Sequence, residues 1–106
     1  MTEVNEQTFE QEVLQSELPV LVDFYADWCG PCKMLSPVVH ELAEKYREKV
    51  KMVKVNVDRA GALAASFGIT SIPTLMYFRG GEAKGASVGL MGREELEEKL
   101  AAWERA

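Results

Sequence analysis

Apolar residues follow two different rhythms along this chain. From Pro19 to Ala26 (PVLVDFYA) nearly every position is apolar, which in a strand means burial on both faces and a place near the middle of a sheet. Val50 to Val57 (VKMVKVNV) is rich in β-branched residues and predicts a second buried strand. Thr74 to Phe78 predicts a third, and the Gly80-Gly81 pair between Arg79 and Glu82 suits a tight hairpin into a strand ending near Val88. The last two strands are then antiparallel. A brief edge strand is expected near Glu3 and Val4.

The second rhythm is helical. Leu35, Val38, Val39, Leu42, Ala43 and Tyr46 recur on one face and predict the longest helix, from Cys32 to about Lys49. Pro37 cannot donate to the carbonyl of Lys33, so a kink is expected one turn into it. Thr8-Phe9-Glu10-Gln11 fits a capping box, with Phe9, Val13 and Leu14 at helical spacing before Pro19 stops the pattern. A short helix is expected around Gly61 to Phe67. After Gly92, a terminal helix carries Leu96, Leu100 and Trp103 on one face and glutamates in its first turn, where the helix dipole favours them. Alternating strands and helices with a closing hairpin predict an α/β domain over residues 1–106, its mixed sheet covered by helices on both faces.

Composition narrows the function classes. A chain of 106 residues buries roughly 60 to 70% of its unfolded surface, enough for one core. At 47% hydrophobic and 27% charged it is neither a disordered chain nor a disulfide-stapled miniature, so its two cysteines are not needed for stability. The net charge of -5 repels phosphate backbones and anionic membranes and argues against both as partners. The acidic N-terminus lacks the features of a secretory signal, and no apolar run approaches a bilayer span. A cytoplasmic location follows as the expectation. There, a lone cysteine pair points to redox chemistry or metal binding rather than a permanent crosslink.

Cys29-Gly30-Pro31-Cys32 places two thiols one turn apart at a helix start, within reach of disulfide geometry. Cys29, beside unpaired amides and the positive end of the dipole, is the better nucleophile. Cys32, one turn inside, is expected to be less exposed and to resolve a mixed disulfide. Pro31 fits the first turn because its missing N–H costs nothing there. A structural zinc site needs four ligands, and the chain offers two Cys and one His. His40 is roughly 12 Å along the helix from Cys32 at 1.5 Å per residue, so no metal is expected and His40 reads as a surface residue. Asp23 is the remaining anomaly. A carboxylate inside an apolar strand costs free energy unless it is paired or neutralised, so it should have a use.

VDFYADWCGPCK, the proline one turn later, VKVNVD, SIPTLMYF and a late Val88-Gly89 together resemble the thioredoxin family in order and spacing over essentially the whole chain. The resemblance implies a thioredoxin fold, with a central five-stranded mixed sheet flanked by four helices. It implies general reduction of protein disulfides through Cys29 and Cys32, with no cofactor beyond that redox-active pair. The pair would be recharged by an NADPH-dependent thioredoxin reductase. A monomer is expected. Asp23 matches the family's buried aspartate, which accepts a proton from Cys32, with burial raising its pKa. Lys54 matches the lysine on the adjacent strand, and a stabilising Asp23–Lys54 salt bridge is the structural alternative.

By the same resemblance Pro73 is cis, the Ile72 backbone pairs with an extended substrate, and Trp28, Gly30, Pro31, Ile72 and Gly89 form an apolar rim around Cys29. The alternative for Trp28 is simple packing. Asp27 reads as a surface turn or cap, and Trp103 and the five methionines as core or gap filling. Tyr25 stands where many members carry Trp, and Ser71 where Gly is common, so both bear on substrate preference. A related oxidase or isomerase would carry another dipeptide between the cysteines and an export signal. A non-catalytic binding subunit using the rim is the alternative of another class, and intact Cys29, Cys32 and Asp23 argue against it as the sole role.

Overall fold

The computed structural model describes residues 1–106. Five strands form one sheet in the order β1-β3-β2-β4-β5: β1 (Thr2–Glu3), β2 (Val20–Tyr25), β3 (Lys51–Asn56), β4 (Thr74–Arg79) and β5 (Glu82–Val88). β1, β3 and β2 run parallel, whereas β4 and β5 are antiparallel to their neighbours. The apolar run thus becomes a central strand, flanked on both edges as its composition requires. Three α-helices, α1 (Gly30–Lys45), α2 (Gly61–Ser66) and α3 (Arg93–Arg105), join a π-helical segment at Glu10–Leu14 to make four helices. This is the thioredoxin fold expected above.

Strand alternation divides the core into two layers. Val20, Val22, Phe24, Val53 and Val55 face the π-helical segment and α2, packing on Phe9, Val13 and Ala64. Leu21, Met52, Leu75 and Tyr77 face the opposite side, under Leu35, Val39 and Leu42 of α1 and Leu96 and Leu100 of α3. The same parity aims Asp23 and Tyr25 of β2, and Lys54 of β3, at the α1 side. A residue's place in the strand's alternation fixes which helix layer its side chain meets.

The boundaries differ from expectation where side chains override the pattern. The first helical turn is capped at Asn5, not Thr8: the Asn5 side chain accepts from the Thr8 amide at 3.2 Å, and Thr8 Oγ1 accepts from the Asn5 amide at 3.1 Å. The reciprocal box lies one turn earlier because Asn5, too, is a strong cap. The segment after it is π-helical, with the Gln15 amide donating to Glu10 O at 2.9 Å. α1 begins two residues before Cys32 and ends at Lys45. Gly80 and Gly81 both have positive φ, at 60° and 82°, as a two-residue hairpin of this hand requires. Met34 is 65% exposed, so the methionines are not all core: it sits on the solvent side of α1, outside the apolar stripe.

Candidate active site

β2 ends at Tyr25, and the chain turns through Ala26, Asp27 and Trp28 into α1. Cys29 is the N-cap of that helix, in extended conformation (φ -85°, ψ 110°), and its Sγ accepts from the Cys32 amide at 3.1 Å. A cap normally supplies oxygen for this role; here sulfur does it. Pro31 lies in the first turn as expected. Cys29 and Cys32 are joined as a disulfide with Cα atoms 5.2 Å apart. Both residues are 4% exposed, so the expectation that Cys32 is the less exposed of the two does not hold. The disulfide packs with Ala26, Tyr25, Val57 and Ile72.

On one side of the disulfide lies the Ile72-Pro73 peptide, which is cis. Cys29 Sγ is 4.0 Å from the Ile72 carbonyl oxygen. No backbone group pairs with the N–H or C=O of Ile72. Pro73 is buried, while Ile72 and Gly89 are half-buried; the Gly89 amide donates to Pro73 O at 2.8 Å, tying the start of β4 to the end of β5. Gly89 takes φ +103°, a conformation that favours glycine.

On the other side, Trp28 is 71% exposed, which rules out simple packing as its role. Its indole Nε1 donates to Asp58 Oδ2 at 2.8 Å. Gly30 and Pro31 are exposed beside it. Val88 and Leu90, which flank Gly89, are exposed apolar residues as well. They were not foreseen, and neither was Asp58, whose contact joins residues thirty positions apart in an irregular turn. The only local signal is Asn56, whose side chain accepts from the amides of Asp58 and Arg59 at 2.9 and 3.2 Å, a habit of Asn in turns.

On the α1 side of β2, Asp23 is 4% exposed and its Oδ1 has no hydrogen-bond partner in the protein. Burial pushes its pKa up from 3.8 to about 6, with Lys54 pulling the other way. Lys54 is the register partner of Asp23 across β2 and β3, yet no salt bridge joins the two. The ammonium group lies instead 5.3 Å from the centre of the Tyr25 ring. Asp27 is exposed and pairs with Arg59 at 3.2 Å. His40 is exposed on α1, as expected.

The profile of the family described as Thioredoxin matches residues 1–102. The chain belongs to the thioredoxin family. It is 51% identical to thioredoxin 1 of Nostoc sp., over 92% of each chain. It is 48% identical to thioredoxin of Porphyra purpurea over 94% of each, and 47% identical to thioredoxin of Rickettsia felis over 88% of this chain and 89% of the relative. The protein is therefore a thiol–disulfide oxidoreductase, and the Cys29–Cys32 disulfide is its redox-active group. No helix is long and apolar enough to cross a membrane.

Proposed function

We propose that the protein is a general reductase of protein disulfides in the cytoplasm, acting as a monomer and recharged by an NADPH-dependent thioredoxin reductase. The observation that carries this reading is Cys29 at the cap of α1, with the Cys32 amide on its sulfur and the unused backbone of Ile72 alongside. An extended substrate segment adds to Ile72 as a short strand, held by the rim of Trp28, Gly30, Pro31, Ile72, Pro73 and Gly89. In the reduced protein, the Cys29 thiolate attacks one substrate sulfur, forming a mixed disulfide and releasing the other sulfur as a thiol. Cys32 then attacks Cys29 Sγ, reforming the internal disulfide and releasing the second substrate thiol. Two electrons pass from the protein to the substrate, and no cofactor beyond the disulfide is required.

Asp23 serves as the base that takes the Cys32 proton, its raised pKa placing it near the operating pH. Lys54 limits that rise. Electron transport from NADPH through the reductase completes the cycle.

The test is to trap the intermediate. Cys32→Ser, incubated with a cell extract without reductant, should accumulate covalent adducts with many unrelated proteins that dithiothreitol releases, because a hydroxyl cannot perform the resolving exchange. Cys29→Ser is the control. A single dominant adduct would point to a dedicated partner. Capture no greater than the control's would leave a non-covalent binding role for the rim. Turnover with NADPH and a supplied thioredoxin reductase tests the recharging step.

A further inference from the structure

The segment from Tyr25 to Trp28 leads into the nucleophile, and its last residue is too exposed to be held by packing. It is gripped by hydrogen bonds from one short turn after β3 and from Glu3 of β1. Asp58 accepts from the Trp28 indole. Arg59 Nη1 donates to Asp27 Oδ2 at 3.2 Å, and Nη2 to the Tyr25 hydroxyl at 3.2 Å. The same guanidinium forks onto Glu3 of β1, Nε to Oε2 and Nη2 to Oε1, each at 2.8 Å. Tyr25 also donates to Glu3 Oε1 at 2.9 Å. Asn56, 2% exposed, fixes the turn that carries Asp58 and Arg59 by accepting from both amides.

We infer that Arg59 is a positioning residue for the Trp28 side of the substrate rim, locking the Asp27–Trp28 segment to β1 through one planar fork. The inference rests on the reading of Trp28 as a substrate contact. Each individual ion pair here is exposed and worth little by itself. Their number on one guanidinium is what matters: four hydrogen bonds from one fixed plane satisfy three side chains at once, which neither Lys nor Gln can imitate. The Tyr25 hydroxyl takes part in the network, donating to Glu3 and accepting from Arg59. Freed of Arg59, Asp27 has no other ion partner, and of the side-chain hydrogen bonds on the segment only Tyr25–Glu3 and Trp28–Asp58 are left.

A positioning residue should affect large substrates more than small ones, since only a protein covers the rim. The reduced protein is mixed in single-turnover experiments with insulin and with the small neutral hydroxyethyl disulfide. Arg59→Gln should slow insulin reduction about 3- to 10-fold, the size expected of coupled neighbours, and slow the small disulfide less. Arg59→Lys should recover only part of the loss, and the ¹⁵N heteronuclear NOE of the Trp28 indole should fall in Arg59→Gln. In a Trp28→Ala background, Arg59→Gln should slow insulin no further. Equal losses on both substrates, or an additive loss in the Trp28→Ala background, would overturn the inference while leaving the rim intact. If Trp28→Ala alone leaves insulin reduction unaltered, the rim reading is overturned and this inference with it.

Discussion

Asp23 and Lys54 stand opposite each other in neighbouring parallel strands, yet their charges do not pair: the lysine reaches over the Tyr25 ring and the carboxylate keeps an oxygen without a protein partner. A carboxylate held this way is destabilising when ionised, since burial removes water and nothing fully replaces it. A salt bridge would have settled Asp23 as a structural residue. Its absence leaves a group whose proton is easily taken up and given back.

The cost of Asp23 can be measured by its pH dependence. Its folded pKa is raised from 3.8 to about 6, so folding favours the protonated form. That contribution is full below 3.8 and is lost as pH rises through about 6. The interval corresponds to about 3 kcal/mol. In the oxidised protein, where the cysteines do not titrate, Asp23→Ala should gain about that much relative to wild type between pH 3 and pH 8. The space left by the missing carboxyl costs the same at both pH values and cancels in the difference. Urea titrations at the two pH values check it. A difference that stays flat would mean that Asp23 is not held as a high-pKa acid.

Much of the fold is legible in the sequence because burial is repeated at many positions. The run from Val20 to Tyr25 could hardly be anything but a central strand, and Leu35, Val39 and Leu42 mark the inner face of α1 at a spacing that tolerates local exceptions. The cap at Asn5 was missed because Asn5 and Thr8 are both good caps, and only three-dimensional geometry chooses between them. In the site, Cys29, Cys32 and Asp23 stand out because each is chemically odd for its position. Asp58 and Arg59 do not: polar residues in a turn are ordinary, and their significance lies in what they reach across thirty or more positions of sequence. Met34 was misplaced for the opposite reason, since an apolar residue on a helix is assigned to the core unless its phase is followed.

The contact between Trp28 and Asp58 should matter for substrates more than for stability. Asp58→Ala removes the only acceptor of an exposed indole, so unfolding should change by no more than about 1 kcal/mol. The concentration of protein substrate needed for half-maximal rate should rise several-fold, and Asp58→Asn, which keeps a carbonyl oxygen at the same place, should restore much of it. Steady-state assays with a protein disulfide, alongside chemical denaturation, separate the two effects. A large loss of stability with unaltered kinetics would make the contact structural.

At the far end of the sheet, Gly85 and Trp103 lie so close that a Cβ on Gly85 would overlap the indole of Trp103. That ring stacks obliquely on Tyr77 at 5.8 Å, and Arg79 donates to the carbonyls of Trp103 and Glu104 at 3.1 and 2.9 Å, so it cannot move without loosening the end of α3. Gly85→Ala should therefore cost about 1 to 3 kcal/mol, the usual range for overpacking. In a Trp103→Leu background the same change should cost much less. Denaturant midpoints of the four proteins close the cycle, and additive costs would show that the indole simply swings aside.

The equal burial of the two cysteines sharpens the assignment of the nucleophile. Were access the deciding factor, Cys29 and Cys32 would react alike, since each residue is 4% exposed. What differs is the electrostatics of the cap: Cys29 Sγ already receives the Cys32 amide at 3.1 Å and faces the positive end of α1, which stabilises a thiolate there. Cys32, inside the first turn and on the side of α1 that faces the sheet, has the ionised form of Asp23 on that same side to oppose a second negative charge. Reduced protein treated briefly with limiting iodoacetamide near neutral pH should carry the label on Cys29, at least about tenfold over Cys32 if the preference is worth about 1.4 kcal/mol. Peptide mapping by mass spectrometry reads the ratio. Raising the salt concentration should reduce it only slightly, because the amide and the helix end act at contact distance, where mobile ions screen poorly. Labelling that is equal, or heavier on Cys32, would reverse the roles assigned to the pair.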